Sequence, residues 1–171
     1  MKKHFFFILI LIIPLISSSQ NDSSKSNAPK WAQKTPKSNS KIFAVGKGTS
    51  ASADVAYRKA VLDANKMLAE SVGSVVTSKT TRIISSVENG NAVEKKVEVI
   101  RKSVTANLKG VEQIDKHQTQ EGEIYIVHVL LSIPNKAISR SIVNGITSDS
   151  SLLGKLSSSK AYKDLLSEAN K

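Results

Sequence analysis

The sequence predicts an α+β fold in which an antiparallel sheet carries one long, alanine-striped helix on a single face. Three observations predict it. Ala53, Ala56, Tyr57, Ala60, Val61, Ala64, Met67 and Leu68 form one continuous stripe at about 100° per residue, the period of an amphipathic helix. Apolar runs at Ile42–Val45 and Glu123–Ile133 have the length and β-branched content of strands. A polar turn at Gln120-Glu121-Gly122 joins the second run to the segment before it, and so short a link permits only an antiparallel pair.

Ahead of these elements stands an export signal. Lys2 and Lys3 make a basic start, Phe5 to Ile16 are apolar apart from Pro14, and Ser17-Ser18-Ser19 are small. That order reads as a secretory signal peptide over residues 1–19, and the apolar run is too short to span a bilayer. Cleavage near Ser19-Gln20 would leave about 150 residues, enough for one modest domain. Residues 20–40 are rich in Ser, Asn, Lys and Pro, with Trp31 as the sole large apolar side chain. Such a segment cannot offset its ordering entropy by burial and reads as a flexible tether. Trp31 either docks on the domain or waits for a partner, and docking is favoured.

The domain is expected over residues 41–134. Lys41 to Val45 make a short strand, and Gly46 and Gly48 break it as a tight turn. Ser50 or Ser52 can cap the next helix, with Asp54 in its first turn complementing the dipole. The small side chains of Ala53, Ala56, Ala60 and Ala64 let that helix lie close on a sheet. Val75 to Val87 are rich in Thr, Val and Ile and read as a further strand, closed by a turn at Asn89-Gly90. Residues 92–105 fit either period: Val93, Val97, Ile100 and Val104 suit a helix, which is favoured, and Val93, Val97 and Val99 a hairpin strand.

Ala106–His117 and Glu123–Ile133 form the final strand pair. Tyr125, Val127, Val129, Leu131 and Ile133 share a face, while Ile124, Ile126 and Leu130 load the other. A strand apolar on both faces is central in its sheet or lies at an oligomer interface, so a homo-oligomer is one expectation. Pro134 ends it. Residues 135–171 read as a helical C-terminal extension, Ala137–Ile146 followed by Leu152–Ala169, whose apolar face changes at Ser157-Ser158-Ser159.

Composition excludes most chemistry. The chain has no cysteine, which removes disulfides, thiolate metal sites and a cysteine nucleophile. The net charge of +11 is spread as +2 on the signal peptide, +3 on the tether, +3 on the domain and +3 on the extension. A nucleic-acid binder concentrates Lys and Arg on one face, so nucleic acid is not expected as a partner. Gly46-Lys47-Gly48-Thr49-Ser50-Ala51 satisfies the dinucleotide pattern G-x-G-x-x-G/A. The domain is too small for the doubly wound sheet that motif serves, its later strands are antiparallel, and an exported protein lacks a dinucleotide supply. A glycine-dependent turn is preferred, and no cofactor is expected.

If Glu121-Gly122 form the hairpin loop, Asp115 faces His128 with His117 two residues along, a weak metal-ligand set without a fourth member. No metal is expected there. No G-x-S-x-G elbow occurs, and Glu121 and Glu123 sit in a solvent-facing turn rather than as a catalytic pair. No catalytic residue can be assigned, and the protein reads as a non-enzyme.

Pro29-Lys30-Trp31, Ala44-Val45-Gly46-Lys47-Gly48, the alanine-striped helix ending Leu68-Ala69-Glu70, Leu108-Lys109-Gly110-Val111 and Tyr125-Ile126-Val127 occur in an order that resembles the LPP20 lipoprotein family. The chain is more distantly similar to the N-terminal domain of flagellar assembly protein T. The resemblance spans roughly residues 29–133. It implies a dodecin-like α+β domain at the bacterial surface or outer membrane, with no established catalytic residues. Lipoproteins of that family carry an acylated cysteine, which this sequence lacks. The expected function is therefore a binding or scaffolding module of the cell envelope: periplasmic, outer-membrane peripheral or secreted, without a lipid anchor. An envelope protein or cell-wall component would be its partner, peripheral membrane association is allowed, and Trp31 and Tyr125 are the contact candidates. The rival reading is a dodecin-like carrier of a flat small molecule.

Overall fold

The computed structural model describes residues 27–87 and 91–171. The signal peptide expected over residues 1–19 and the turn expected at Asn89-Gly90 lie outside them. The elements in order are α1 (Lys30–Gln33), β1 (Lys41–Ser50), α2 (Ala53–Ile84), α3 (Asn91–Ala106), β2 (Glu112–Glu121), β3 (Ile124–Pro134), α4 (Asn135–Thr147), α5 (Ser150–Leu156) and α6 (Lys160–Asn170). The fold is α+β, as its sequence predicts. The sheet is antiparallel with strand order β1-β3-β2.

The glycines of β1 do not turn the chain. The strand runs through them to Ser50, and each sits where a side chain would strike the backbone of α2. A Cβ on Gly46 would stand 2.1 Å from Ala60 O and 2.2 Å from Ala64 N; one on Gly48 would stand 2.0 Å from Ala56 O. The helix doubles back over its own strand, pressing Ala56, Ala60 and Ala64, all fully buried, against the bare strand backbone. Two contacts seal the free edge of β1 from the same helix. Asp63 Oδ2 accepts from the Lys47 amide at 3.0 Å, and Lys59 Nζ donates to Thr49 O at 3.2 Å. An edge strand capped in this way offers fewer unpaired groups to another chain.

The predicted strand at Val75–Val87 is instead the C-terminal part of α2, which ends at Ile84, and the turn that follows it. Val72, Val76, Thr80 and Ile83 continue the buried stripe begun by the alanines, and burial overrides the β-propensity of the Thr-, Val- and Ile-rich stretch. The hydroxyls are answered locally: Thr80 Oγ1 donates to Val76 O at 2.7 Å and accepts from Arg101 Nε at 2.6 Å. At 32 residues α2 is about 48 Å long, against about 33 Å for β1, so it overhangs the sheet. The overhang is where the other helices pack. α3, α4 and α6 all contact α2. Met67, placed on the apolar stripe by spacing, is 45% exposed.

Residues 92–105 are helical, with Val93, Val97, Ile100 and Val104 buried and Val99 outward. The final strand pair starts later than its apolar pattern suggests, because α3 continues to Ala106 and β2 begins at Glu112. The hairpin loop is Gly122-Glu123, one residue beyond the predicted turn, since Glu121 pairs with Ile124. Gly122 takes φ 59, the positive value a two-residue hairpin loop demands at its first position. β3 is the central strand, which accounts for its two apolar faces. α5 and α6 are separate helices, broken at Ser157–Ser159 as the change of face implies. Asp149 caps α5 through Leu152 N and Ser159 caps α6 through Tyr162 N.

Gly46→Ala and Gly48→Ala are each expected to lower the unfolding free energy by about 3 kcal/mol, because the added methyl meets backbone that no rotamer change can move. Gly154→Ala, in α5 with open space at its Cβ, should instead stabilise by about 0.5–1 kcal/mol. Urea denaturation of the three variants checks both signs.

Candidate functional site

Cross-strand pairs share a face, so the register sorts every side chain of the sheet. The inner face, toward α2, holds Ala44, Gly46 and Gly48 of β1 and Val127, Val129, Leu131 and Ile133 of β3. The same face of β2 is polar and tied to the helix: Tyr57 OH donates to Gln113 Oε1 at 2.9 Å, and Lys116 Nζ lies 4.9 Å from the Tyr57 ring centroid. The outer face holds Phe43, Val45, Lys47 and Thr49 of β1, Ile124, Ile126, His128, Leu130 and Ser132 of β3, and Asp115, His117 and Thr119 of β2.

A strap covers part of that outer face. Residues 27–40, the described part of the segment expected to be a tether, start at β2 and end at the root of β1. Asn27 O accepts from His117 Nε2 at 2.9 Å, α1 lies against β3 and β1, and Asn135 Nδ2 donates to Asn39 O at 2.9 Å. Since α2 occupies the other side of β1 and β3, the strap lies on the outer side. Leu130 and Ser132 are buried, whereas Ile124, near the hairpin end, is 43% exposed. Trp31, in α1, is half-buried.

The sequence-predicted candidates separate onto these two faces. Trp31 belongs to the strap on the outer side. Tyr125 is on the inner face, opposite Ser50 and Gln120 and partly buried against the core, so the two aromatics do not share a site. The expected pairing of Asp115 with His128 is displaced. The later hairpin loop puts His117 opposite His128 and Asp115 opposite Leu130, and a bulge between Gln113 and Asp115, with Ile114 exposed, shifts the register only beyond them. Among the described residues no three His, Cys, Asp or Glu side chains gather as a metal site. The glycine motif has no room for a pyrophosphate, because Ala60 O and Ala64 N occupy the space beside Gly46 and the Lys47 amide is already bound to a carboxylate.

Sequence reasoning missed the row that register creates across the outer face, Lys47 on β1, His128 on β3 and His117 on β2. Its only trace in the sequence is the alternation of Ile126, His128, Leu130 and Ser132 along one face of the strand. Burial first, then electrostatic repulsion from its neighbours Lys47 and His117, holds the His128 imidazole below its ordinary pKa. A separate cleft of about 540 Å³ lies among α3, α4 and α5, floored by Ile100, Val104 and Leu152. Lys96 and Asp149 pair across its mouth at 2.6 Å, and that bond, with the Leu152 amide, holds the Asp149 carboxyl below its usual range.

The fold is a small strapped α+β sheet, and among its described residues no metal-ligand cluster is assembled. The pattern of the LPP20 lipoprotein family matches residues 29–131, most of the described sheet and its helix. The chain belongs to that family, and membership is consistent with export. Among curated proteins none matches significantly. Among solved structures, the secreted protein HP1454 from the human pathogen Helicobacter pylori is similar at 21% identity and a TM-score of 0.33, covering 75% of this chain. The chain spans about half the length of that protein, 49%. Among the described residues no helix is long and apolar enough to cross a membrane.

Zinc added in excess is expected to leave the thermal midpoint unchanged, because His117 Nε2 is engaged by Asn27, Asp115 is out of register and Lys47 adds repulsion. A zinc-dependent rise in melting temperature would show that the two histidines are recruited after all.

Proposed function

We propose that this protein is a non-enzymatic binding or scaffolding module of the bacterial cell envelope, and that its contact surface is the outer face of the sheet around the strap. The observation that carries this reading is the inequality of the two faces. The inner face is closed by backbone-to-backbone packing of α2 on β1, whereas the outer face presents Phe43, Val45, Ile124 and Ile126 partly or largely open beside a half-buried Trp31. Partly covered apolar surface rimmed by polar groups is characteristic of interaction sites. Trp31, rather than Tyr125, is the aromatic contact, since aromatic anchors act from the face that meets the partner.

The partner in this reading is an envelope protein or a cell-wall component. Family membership supports export. The sequence contains no cysteine to carry a thioether-linked lipid, so retention in this proposal is peripheral, through the bound partner, or the protein is released.

Photo-crosslinking in intact envelopes tests it. A photoreactive residue at Ile124 or Lys47, on the outer face, is expected to give a discrete adduct. The same residue at Leu62, 72% exposed on the far side of α2, should give none. Equal labelling from all three positions, or adducts from Leu62 alone, would contradict the assignment.

A further inference from the structure

The strap meets the sheet on a titratable row. Lys47, His128 and His117 are register neighbours on three strands, so their side chains stand in line on the outer face. His117 Nε2–H donates to Asn27 O, where the strap arrives at β2. His128, in the middle, is 9% exposed, and its Nδ1 is buried without a hydrogen-bond partner among the described residues. A neutral imidazole tolerates an unanswered acceptor nitrogen. An imidazolium there would bury both an unanswered N–H and a charge, which costs far more.

The surrounding charges do not relieve it. On β1, Lys47 stands beside His128, and Lys41 at the strand start is paired with Glu112 at 3.5 Å. On β2, His117 is its direct partner. Asp115 faces Leu130 and accepts from the Lys116 amide, and Glu121 lies at the hairpin end opposite Ile124. The strap supplies Lys30, Lys34 and Lys37 and no carboxylate.

We propose that the strap of residues 27–40 is an acid-released latch: protonation of His128, within the Lys47–His128–His117 row, lifts the strap and bares the outer face of the sheet. What the bared face then does rests on the binding role proposed above; release itself does not. With the strap down His128 titrates below its ordinary range, burial being the largest cause. With the strap off it regains water, which removes that cause and raises its pKa toward the ordinary ~6.5 while Lys47 and His117 stay beside it. The open form therefore takes up a proton more readily. Closure keeps its full advantage above about pH 6.5 and loses it as pH falls from there toward the lowered value.

Trp31, the chain's single tryptophan, lies in the strap and reports its position. As pH falls from about 7.5 to about 5, its emission is expected to shift red and its acrylamide quenching to rise while far-UV circular dichroism stays constant. His128→Leu, which removes the titrating group and keeps an apolar side chain of similar size, should abolish that shift. Lys47→Glu, at an exposed position, should move it to lower pH, because a carboxylate beside His128 makes its protonation under the closed strap less costly. A Trp31 signal flat across the range, or a transition unchanged in His128→Leu, would overturn the latch. If His128→Leu does not fold, an unchanged midpoint in Lys47→Glu overturns it instead. Crosslinking from Ile124 at both pH values separates the two readings: strap release without a gain in adduct refutes the contact surface and leaves the latch standing.

Discussion

The rest of the structure depends on how closely α2 approaches β1. Ordinary helix-on-sheet packing places a layer of side chains between the two backbones. Here that layer is missing at Gly46 and Gly48, and the helix contributes only Ala56, Ala60 and Ala64. The seam is therefore backbone against backbone, and it tolerates almost no displacement. Its closeness brings Asp63 and Lys59 within reach of the strand's free edge, so the helix both covers β1 and caps it. It also fixes the direction in which α2 leaves the sheet, and hence where its overhang can gather α3, α4 and α6.

That seam divides the sheet into a closed side and an open one. β3 is central and apolar on both faces, yet only its inner residues join the helical core. Its outer residues meet a thin strap, anchored at one end by Asn135 and at the other by His117. A strap of this size adds little apolar burial beside a 32-residue helix, so its attachment is the natural place for a reversible step. The charge row beneath it and the half-buried tryptophan within it belong to one physical unit. Membership of the LPP20 lipoprotein family supports export of this unit.

Much of the architecture was legible in the sequence, and the failures have definite causes. The alanine stripe predicted a helix lying close on a sheet, and the helical spacing of Val93, Val97, Ile100 and Val104 predicted α3. The serine break between α5 and α6 was also readable. Gly46 and Gly48 were misread as a turn because a glycine needed for space and one needed for dihedral freedom look alike without the partner element. Val75–Val87 was misread as strand because local β-propensity was weighed above a four-residue burial period that continues unbroken from Ala56 to Thr80. The histidine row stayed hidden since a one-residue error in the hairpin loop moves every partner between β2 and β3 by two residues. The strap was read as a flexible tether because its composition offers little to bury, whereas its docking depends on a surface that only the folded sheet provides.

Native-state hydrogen exchange tests the dependence on the seam most directly, because it ranks local openings against global unfolding. The amides of Ala60 to Leu68 in α2 and of Val127 to Leu131 in β3 are expected to exchange slowest, and only through global unfolding. Those of α5, α6 and the strap should exchange through smaller openings. Slowest exchange in α4 and α6, with the seam opening locally and earlier, would contradict the account.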